Sequence, residues 1–281
     1  MALPAIKVEY KTIDGITLRG LLHPTKVKSP AIIMTHGFNC VKEMLLPEIA
    51  RRFQGIGYNA LIYDPRSIGD SDGLPRNQIS PLQQAEDLSD IITHISSLPN
   101  VDSRRIILWG MSFGATVSAC TAAVDRRVKA LVMTEKREKQ LRGNEAFTKP
   151  PFNSKGENPM GFGGSGGPGG MEAYSFMSAV IDHGAPNFRD RITLQTYQKL
   201  FMFRPKVLLD MVQASTLMIV PELDDISSPE EQIEAFGLLA GPKTLYVAKE
   251  KGHLTVLSGD KSEEILNTMT EFIKTASELD A

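Results

Sequence analysis

Two alternations of hydrophobic and polar positions run along this chain. Near the N-terminus, Ile6-Lys7-Val8-Glu9-Tyr10 and Ile16-Thr17-Leu18-Arg19-Gly20-Leu21-Leu22 flank Asp14-Gly15. Mixed strands around an Asp-Gly turn predict an antiparallel hairpin. From residue 31 onward the strands lose their polar positions. Ala31-Ile32-Ile33-Met34-Thr35, Ala60-Leu61-Ile62-Tyr63, Ile106-Ile107-Leu108-Trp109 and Val128-Lys129-Ala130-Leu131-Val132-Met133 are short and largely apolar, as are Thr216–Val220 and Thr244–Ala248. Runs of that kind suit central strands covered on both faces. Helical periodicity lies between them, over Glu43–Gly55, Pro81–Ser97, Ser112–Ala123, Pro229–Leu239 and Ser262–Ser277. A hairpin followed by alternating strands and helices predicts an α/β fold: a mostly parallel central sheet, antiparallel at its N-terminal edge, with helices on both faces.

The alternation stops between residues 135 and 212. That stretch is polar, holds short helical patterns at Met171–Met177 and Thr193–Phe203, and carries seven glycines within Gly161–Gly170. It reads either as a disordered loop or as a mobile lid over a site at the strand ends. In both readings it is an inserted cap (135–212) in a core formed by residues 1–134 and 213–281.

Composition narrows the class. Length 281, with 42% hydrophobic and 23% charged residues, fits one large globular unit. A net charge of −2, with lysine and arginine dispersed, argues against nucleic acid or an anionic membrane as partner. No apolar run is long enough to cross a bilayer, and no signal peptide is visible at Met1-Ala2-Leu3-Pro4-Ala5. The two cysteines, Cys40 and Cys120, do not suggest a disulfide framework. The expected compartment is the cytoplasm.

Chemistry enters at Gly110-Met111-Ser112-Phe113-Gly114. The pentapeptide follows an apolar strand and opens a small-residue helix, the context in which G-x-S-x-G forms a nucleophile elbow. A serine hydroxyl needs a base, and the base needs an orienting group. Of the five histidines, His23, His94 and His183 fall in a strand, a helix and the cap, while His36 ends a strand where its backbone matters more than its ring. His253 follows the last strand and is the expected base. The acid belongs after the penultimate strand, where Asp224 is preferred to its neighbour Asp225; Glu135 is the less favoured substitute. An oxyanion hole would use the amides of Phe113 and Phe38, the latter in His36-Gly37-Phe38. No metal-ligand spacing or phosphate-binding loop is present, so neither metal nor cofactor is expected. In the cap, Phe162, Met171 and Tyr174, with Phe152, Met160, Phe176 and Met177, either line an apolar substrate pocket or form the cap's own small core.

These pieces together resemble the α/β-hydrolase superfamily over nearly the whole length. Asp64-Pro65-Arg66-Ser67-Ile68-Gly69-Asp70-Ser71 is similar to its D-x-R-G-x-G-x-S loop, with Ser67 where glycine is usual. A narrower resemblance, to the thiohydrolases and polyketide transferases found with fungal polyketide synthases, is carried by His36–Glu43, Tyr63–Gly73, Asn158–Gly163 and Gly252–Leu257. It implies an ester or thioester-bound acyl substrate, carrier-bound or free, with a polyketide synthase as partner. Release, transfer or cyclisation of the chain would follow. One departure is that Glu135-Lys136-Arg137 follows Met133 almost at once: either the cap is shortened there or a piece is absent from the chain. A general carboxylesterase and a noncatalytic ligand-binding protein are the alternatives; oligomeric state and acyl chain are left open.

Overall fold

The computed structural model describes residues 3–134, 148–158, 164–182, 187–193, 196–197, 199–200 and 203–278. Eight strands form one sheet: β1 (Ile6–Lys11), β2 (Thr17–His23), β3 (Ser29–Thr35), β4 (Asn59–Tyr63), β5 (Val101–Met111), β6 (Val128–Thr134), β9 (Ser215–Pro221) and β10 (Lys243–Ala248). Between β6 and β9 the chain forms β7 (Thr148–Lys149) and β8 (Ile192–Thr193), a separate antiparallel pair. The sheet order is β1-β2-β4-β3-β5-β6-β9-β10; β2 is antiparallel to β1 and β4, and all other pairings are parallel.

The continuous apolar runs are explained by what covers them. Ile33, Leu108 and Leu131 face a core shared with α2 (Pro81–Ser96) and α3 (Phe113–Val124). Their neighbours Ile32, Ile107, Trp109, Ala130 and Val132 face the other side, toward α1 (Leu46–Gly55) and the C-terminal helix α6 (Ser262–Glu278). Successive strand residues point to opposite faces, so a strand buried on both must be apolar throughout. Helix α3 is buried along almost its entire length, and its alanines, serine, threonines and cysteine keep its girth small against the sheet. Cys120 belongs to this helix; it and Cys40 are buried thiols, not a disulfide.

Three helical segments depart from expectation by more than a residue. Helix α1 begins at Leu46 rather than Glu43, because Leu45 stands at φ 63° and Pro47 suits only the first turn. In the inserted stretch, α4 (Pro168–Asp182) is longer than the expected Met171–Met177 pattern and takes Gly169 and Gly170 into its first turn. Those glycines are excluded from a free loop by contact: a Cβ at Gly170 would overlap the carbonyls of Gly156 and Gly164. Of the expected Thr193–Phe203 helix, Thr196, Tyr197, Lys199 and Leu200 are helical, whereas Thr193 belongs to β8, and a 3₁₀ helix follows at Pro205–Met211. The short connection after Met133, together with Glu135, Met160, Phe162 and His183, lies outside the described residues.

Ser67 keeps a left-handed backbone, φ 66°, at the position where glycine is usual. Its side chain is buried and its hydroxyl donates to the Gln78 carbonyl at 2.7 Å, which holds the conformation that serine would otherwise avoid.

Candidate active site

Parallel strands deliver their carboxyl ends to one edge, and the loops leaving β3, β5, β9 and β10 meet there. Strand β5 ends at Met111 and α3 begins at Phe113, so the turn is a single residue. Ser112 occupies it at φ 54° and ψ −127°, a conformation that L residues adopt only under constraint. The flanking glycines are required by space: a Cβ at Gly110 would lie 2.5 Å from Ala115 Cα, and one at Gly114 would overlap the Thr35 and His36 carbonyls. The elbow is therefore seated directly on the loop after β3.

Ser112 Oγ lies 2.9 Å from His253 Nε2, and His253 Nδ1 lies 2.8 Å from Asp224 Oδ2. All three side chains are buried. The other oxygen of Asp224 accepts the amides of Ile226 at 3.0 Å and Ser227 at 2.8 Å. Gln232, from α5 (Pro229–Leu238), donates to Asp224 Oδ2 at 3.1 Å and to the Ser227 carbonyl at 2.9 Å. The carboxylate is thus fixed on both oxygens, with one lobe aimed at the imidazole. The acid and histidine loops are tied together by the Leu223 amide donating to the Lys251 carbonyl at 2.8 Å. Gln232 had no sequence signal beyond its place in a helix; only the fold brings it back to Asp224.

Phe113, first residue of α3, presents an amide with no intrahelical acceptor, as the leading amides of any helix do. Phe38 lies across from it, with the two rings edge to face at 5.6 Å between centroids and 81° between planes. A Cβ at Gly37 would come 3.5 Å from Ser112 Cβ, so the Phe38 loop runs past the serine. An anion developing beside Ser112 would meet both loops and the N-terminus of α3.

The His36 ring, which sequence reasoning set aside in favour of its backbone, pins this loop. Nδ1 accepts the Gly37 amide at 2.8 Å, and Nε2 donates to the Met44 carbonyl at 2.5 Å. The Gly37 contact requires a neutral ring, and burial lowers its pKa to about 4, against the pull of the Met44 carbonyl toward the charged form. In the unfolded chain the ring titrates near 6.5. The unfolded state therefore binds the proton first, and the stabilisation, complete above pH 6.5, is lost as pH falls from there through about 4. Between pH 7 and pH 5 the loss from this residue is about 2 kcal/mol. Urea unfolding at the two pH values should show it, with a smaller pH dependence in His36→Asn.

Lys42 closes the same loop. Its amide donates to Asp64 Oδ1 at 2.8 Å, and its ammonium reaches Asp64, Asp70 and Glu43 at 2.7, 2.6 and 2.8 Å. Among the described residues these three carboxylates are the one group spaced as metal ligands are, and the ammonium sits among them. Burial opposes the lysine's charge, but the carboxylates outweigh it and its pKa is raised.

Of the expected substrate contacts in the cap, Met171 is exposed on α4, and Tyr174 packs beside Phe152, Ala173 and Ile226. Phe162 lies outside the described residues.

Fold and site define an α/β-hydrolase-fold enzyme. A family model described as "Serine aminopeptidase, S33" matches residues 27–134. A thiohydrolase of Eupenicillium brefeldianum is 41% identical over 293 aligned residues, covering 96% of this chain and 94% of that protein. The solved structure of DcsB in complex with its substrate analogue is 61% identical with a TM-score of 0.93, covering 97% of this chain and all of that one. GrgF of Penicillium sp. sh18, an α/β hydrolase, is 36% identical with a TM-score of 0.86, covering 98% of this chain and all of that one. The chain belongs to the family of fungal thiohydrolases and polyketide transferases. Among the described residues, no helix is long and apolar enough to cross a membrane.

Proposed function

We propose that this chain is a Ser112-dependent acyl-transfer enzyme that takes a polyketide acyl chain from a thioester and releases, transfers or cyclises it. The continuous contact from Ser112 Oγ through the His253 ring to Asp224, 2.9 and 2.8 Å long, carries this reading. His253 Nε2 takes the proton from Ser112 Oγ as that oxygen adds to the thioester carbonyl. The oxyanion is held by the amides of Phe38 and Phe113. The carbon–sulfur bond breaks, the thiol leaves with the proton from His253, and the acyl group stays on Ser112. A second nucleophile gives its proton to His253 and attacks the acyl-serine carbonyl; the serine oxygen leaves and recovers a proton from His253. Water there yields an acid, an alcohol of another molecule an ester, and a hydroxyl of the same chain a lactone.

Asp224 remains ionised and balances the imidazolium. Residues 135–212 serve as a cap over the strand ends, and Phe162, Met171 and Tyr174 are the proposed apolar contacts for the chain. A carrier domain of a polyketide synthase is the proposed donor. No step calls for a metal or an organic cofactor.

Intact-protein mass spectrometry after mixing with a decanoyl-N-acetylcysteamine thioester tests this. The expected result is a Ser112-bound decanoyl adduct, or Ser112-dependent release of the acid, and neither in Ser112→Ala. Equal turnover of simple acetate esters would point instead to a general carboxylesterase. Binding without product would point to a ligand-binding protein.

A further inference from the structure

The cap helix α4 meets the core through its first turn. The Gly169 amide donates to Asp225 Oδ2 at 2.9 Å. A Cβ on Gly169 would overlap the Asp225 carboxylate and approach Ile226 Cγ1 to 2.6 Å. Bare backbone is what lets the helix seat so closely there. Three residues on, Glu172 is half-buried and lies beside the backbone of Leu254, whose amide favours its charged form. Its Oε2 also lies 3.5 Å from where a Cβ of Gly252 would stand. Burial pushes the Glu172 pKa up, against the pull of the Leu254 amide and the nearby His253.

The positions of these contacts in the chain give them their meaning. Asp225 follows Asp224, and Leu254 follows His253, so each loop that carries one member of the acid–base pair sends its next residue to the cap. Beneath the seam, Ile226 and Leu254 pack with Phe152, Ala173 and Tyr174. Farther along α4, Met177 and Phe176 join the large apolar cluster that contains Phe113 and takes up Phe38. A helix of 15 residues therefore runs from the acid and histidine loops toward the oxyanion side.

We infer that Asp225 and Glu172 are positioning residues that fasten the cap helix to the acid and histidine loops, and that they govern the binding of long acyl chains rather than the chemistry at Ser112. The substrate half of this inference rests on the acyl-transfer function proposed above; the fastening itself is readable without substrate. Loss of one carboxylate-to-amide bond at a partly exposed seam should loosen it about five- to tenfold.

The test compares wild type with Asp225→Ala, Asp225→Asn, Glu172→Gln and Gly169→Ala. Hydrogen exchange of peptides covering 168–182 is expected to quicken at least fivefold in Asp225→Ala and Gly169→Ala, with peptides of β5 and α3 unchanged. KM for the decanoyl thioester should rise five- to tenfold in both, with kcat and the parameters for the acetyl thioester within twofold of wild type. Glu172→Gln should shift both readouts the same way by a smaller factor. Asp225→Asn keeps an acceptor oxygen and should restore KM to near the wild-type value. Unchanged exchange in α4, or an equal rise of KM for both chain lengths, would overturn the inference. A wild-type protein inert to both thioesters would instead overturn the acyl-transfer function, and exchange alone would then decide the fastening.

Discussion

Ser112→Ala is expected to lower kcat/KM for an acyl thioester by about 10⁵-fold, equivalent to about 7 kcal/mol of transition-state stabilisation. The variant lacks both the proposed nucleophile and the oxygen that would carry the acyl group. His253→Ala should cost about as much, and the double variant little more, because the two residues act as one unit. Asp224→Asn should cost about 10⁴-fold with the fold intact. Asp224 accepts on both oxygens, from the Ile226 and Ser227 amides on one side and from His253 and Gln232 on the other. An asparagine must therefore turn its NH₂ toward donors whichever way it lies. With that group toward the imidazole, Nδ1 loses its acceptor and Nε2 becomes the protonated nitrogen, which cannot take the serine proton. Steady-state kinetics on the three single variants and the Ser112/His253 double variant would check this. Additive losses across the pair would contradict the shared-unit mechanism.

Most of this frame was legible because strand chemistry is local. All eight sheet strands overlap the runs read from hydrophobicity, and their errors are a residue or two at the ends, except that β5 extends from Val101 through a more polar start. Gly110 and Gly114 announced the elbow because steric exclusion leaves so few alternatives there. Ser112, His253 and Asp224 could be ordered along the chain because each follows a strand. What escaped was contact between segments distant in sequence. Gln232 reaching Asp224, and Gly169 reaching Asp225, leave no periodicity. The glycine-rich stretch misled for the same reason: its composition permits looseness, whereas Gly169 and Gly170 are glycine because carbonyls and a carboxylate crowd them. His36 was undervalued because a ring that hydrogen-bonds its own loop is indistinguishable, in sequence, from one that merely fills a strand end.

Asp64→Ala should destabilise the protein by about 3–5 kcal/mol and disturb the active site as well. Asp64 is fully buried and accepts three nitrogens: the Lys42 amide and ammonium and, at 2.9 Å, the Asp70 amide. Its carbonyl also accepts the Ser71 hydroxyl at 2.6 Å, and Ser71 in turn accepts the Arg19 amide at 2.8 Å. Removing the carboxylate leaves the 5%-exposed Lys42 side chain with only the partly exposed Asp70 and Glu43 as counter-charges, and leaves two amides unanswered. Desolvation of an unmatched ammonium outweighs what a surface ion pair returns, so the cost belongs with broken buried pairs rather than with surface bridges. Lys42 sits four residues after Phe38, on the loop that runs past Ser112, so its release should reach the oxyanion donors. Denaturant unfolding would read the stability loss. In the variant that remains folded at low temperature, kcat for thioester turnover should fall more than KM rises, because the oxyanion contact is made only in the transition state. Asp64→Asn separates the two causes. It preserves the shape and one acceptor oxygen but removes the charge, so it should keep part of the loop geometry while still losing the buried pair. An Asp64→Asn protein as stable as wild type would show that hydrogen bonding alone, without the charge, holds Lys42 in place.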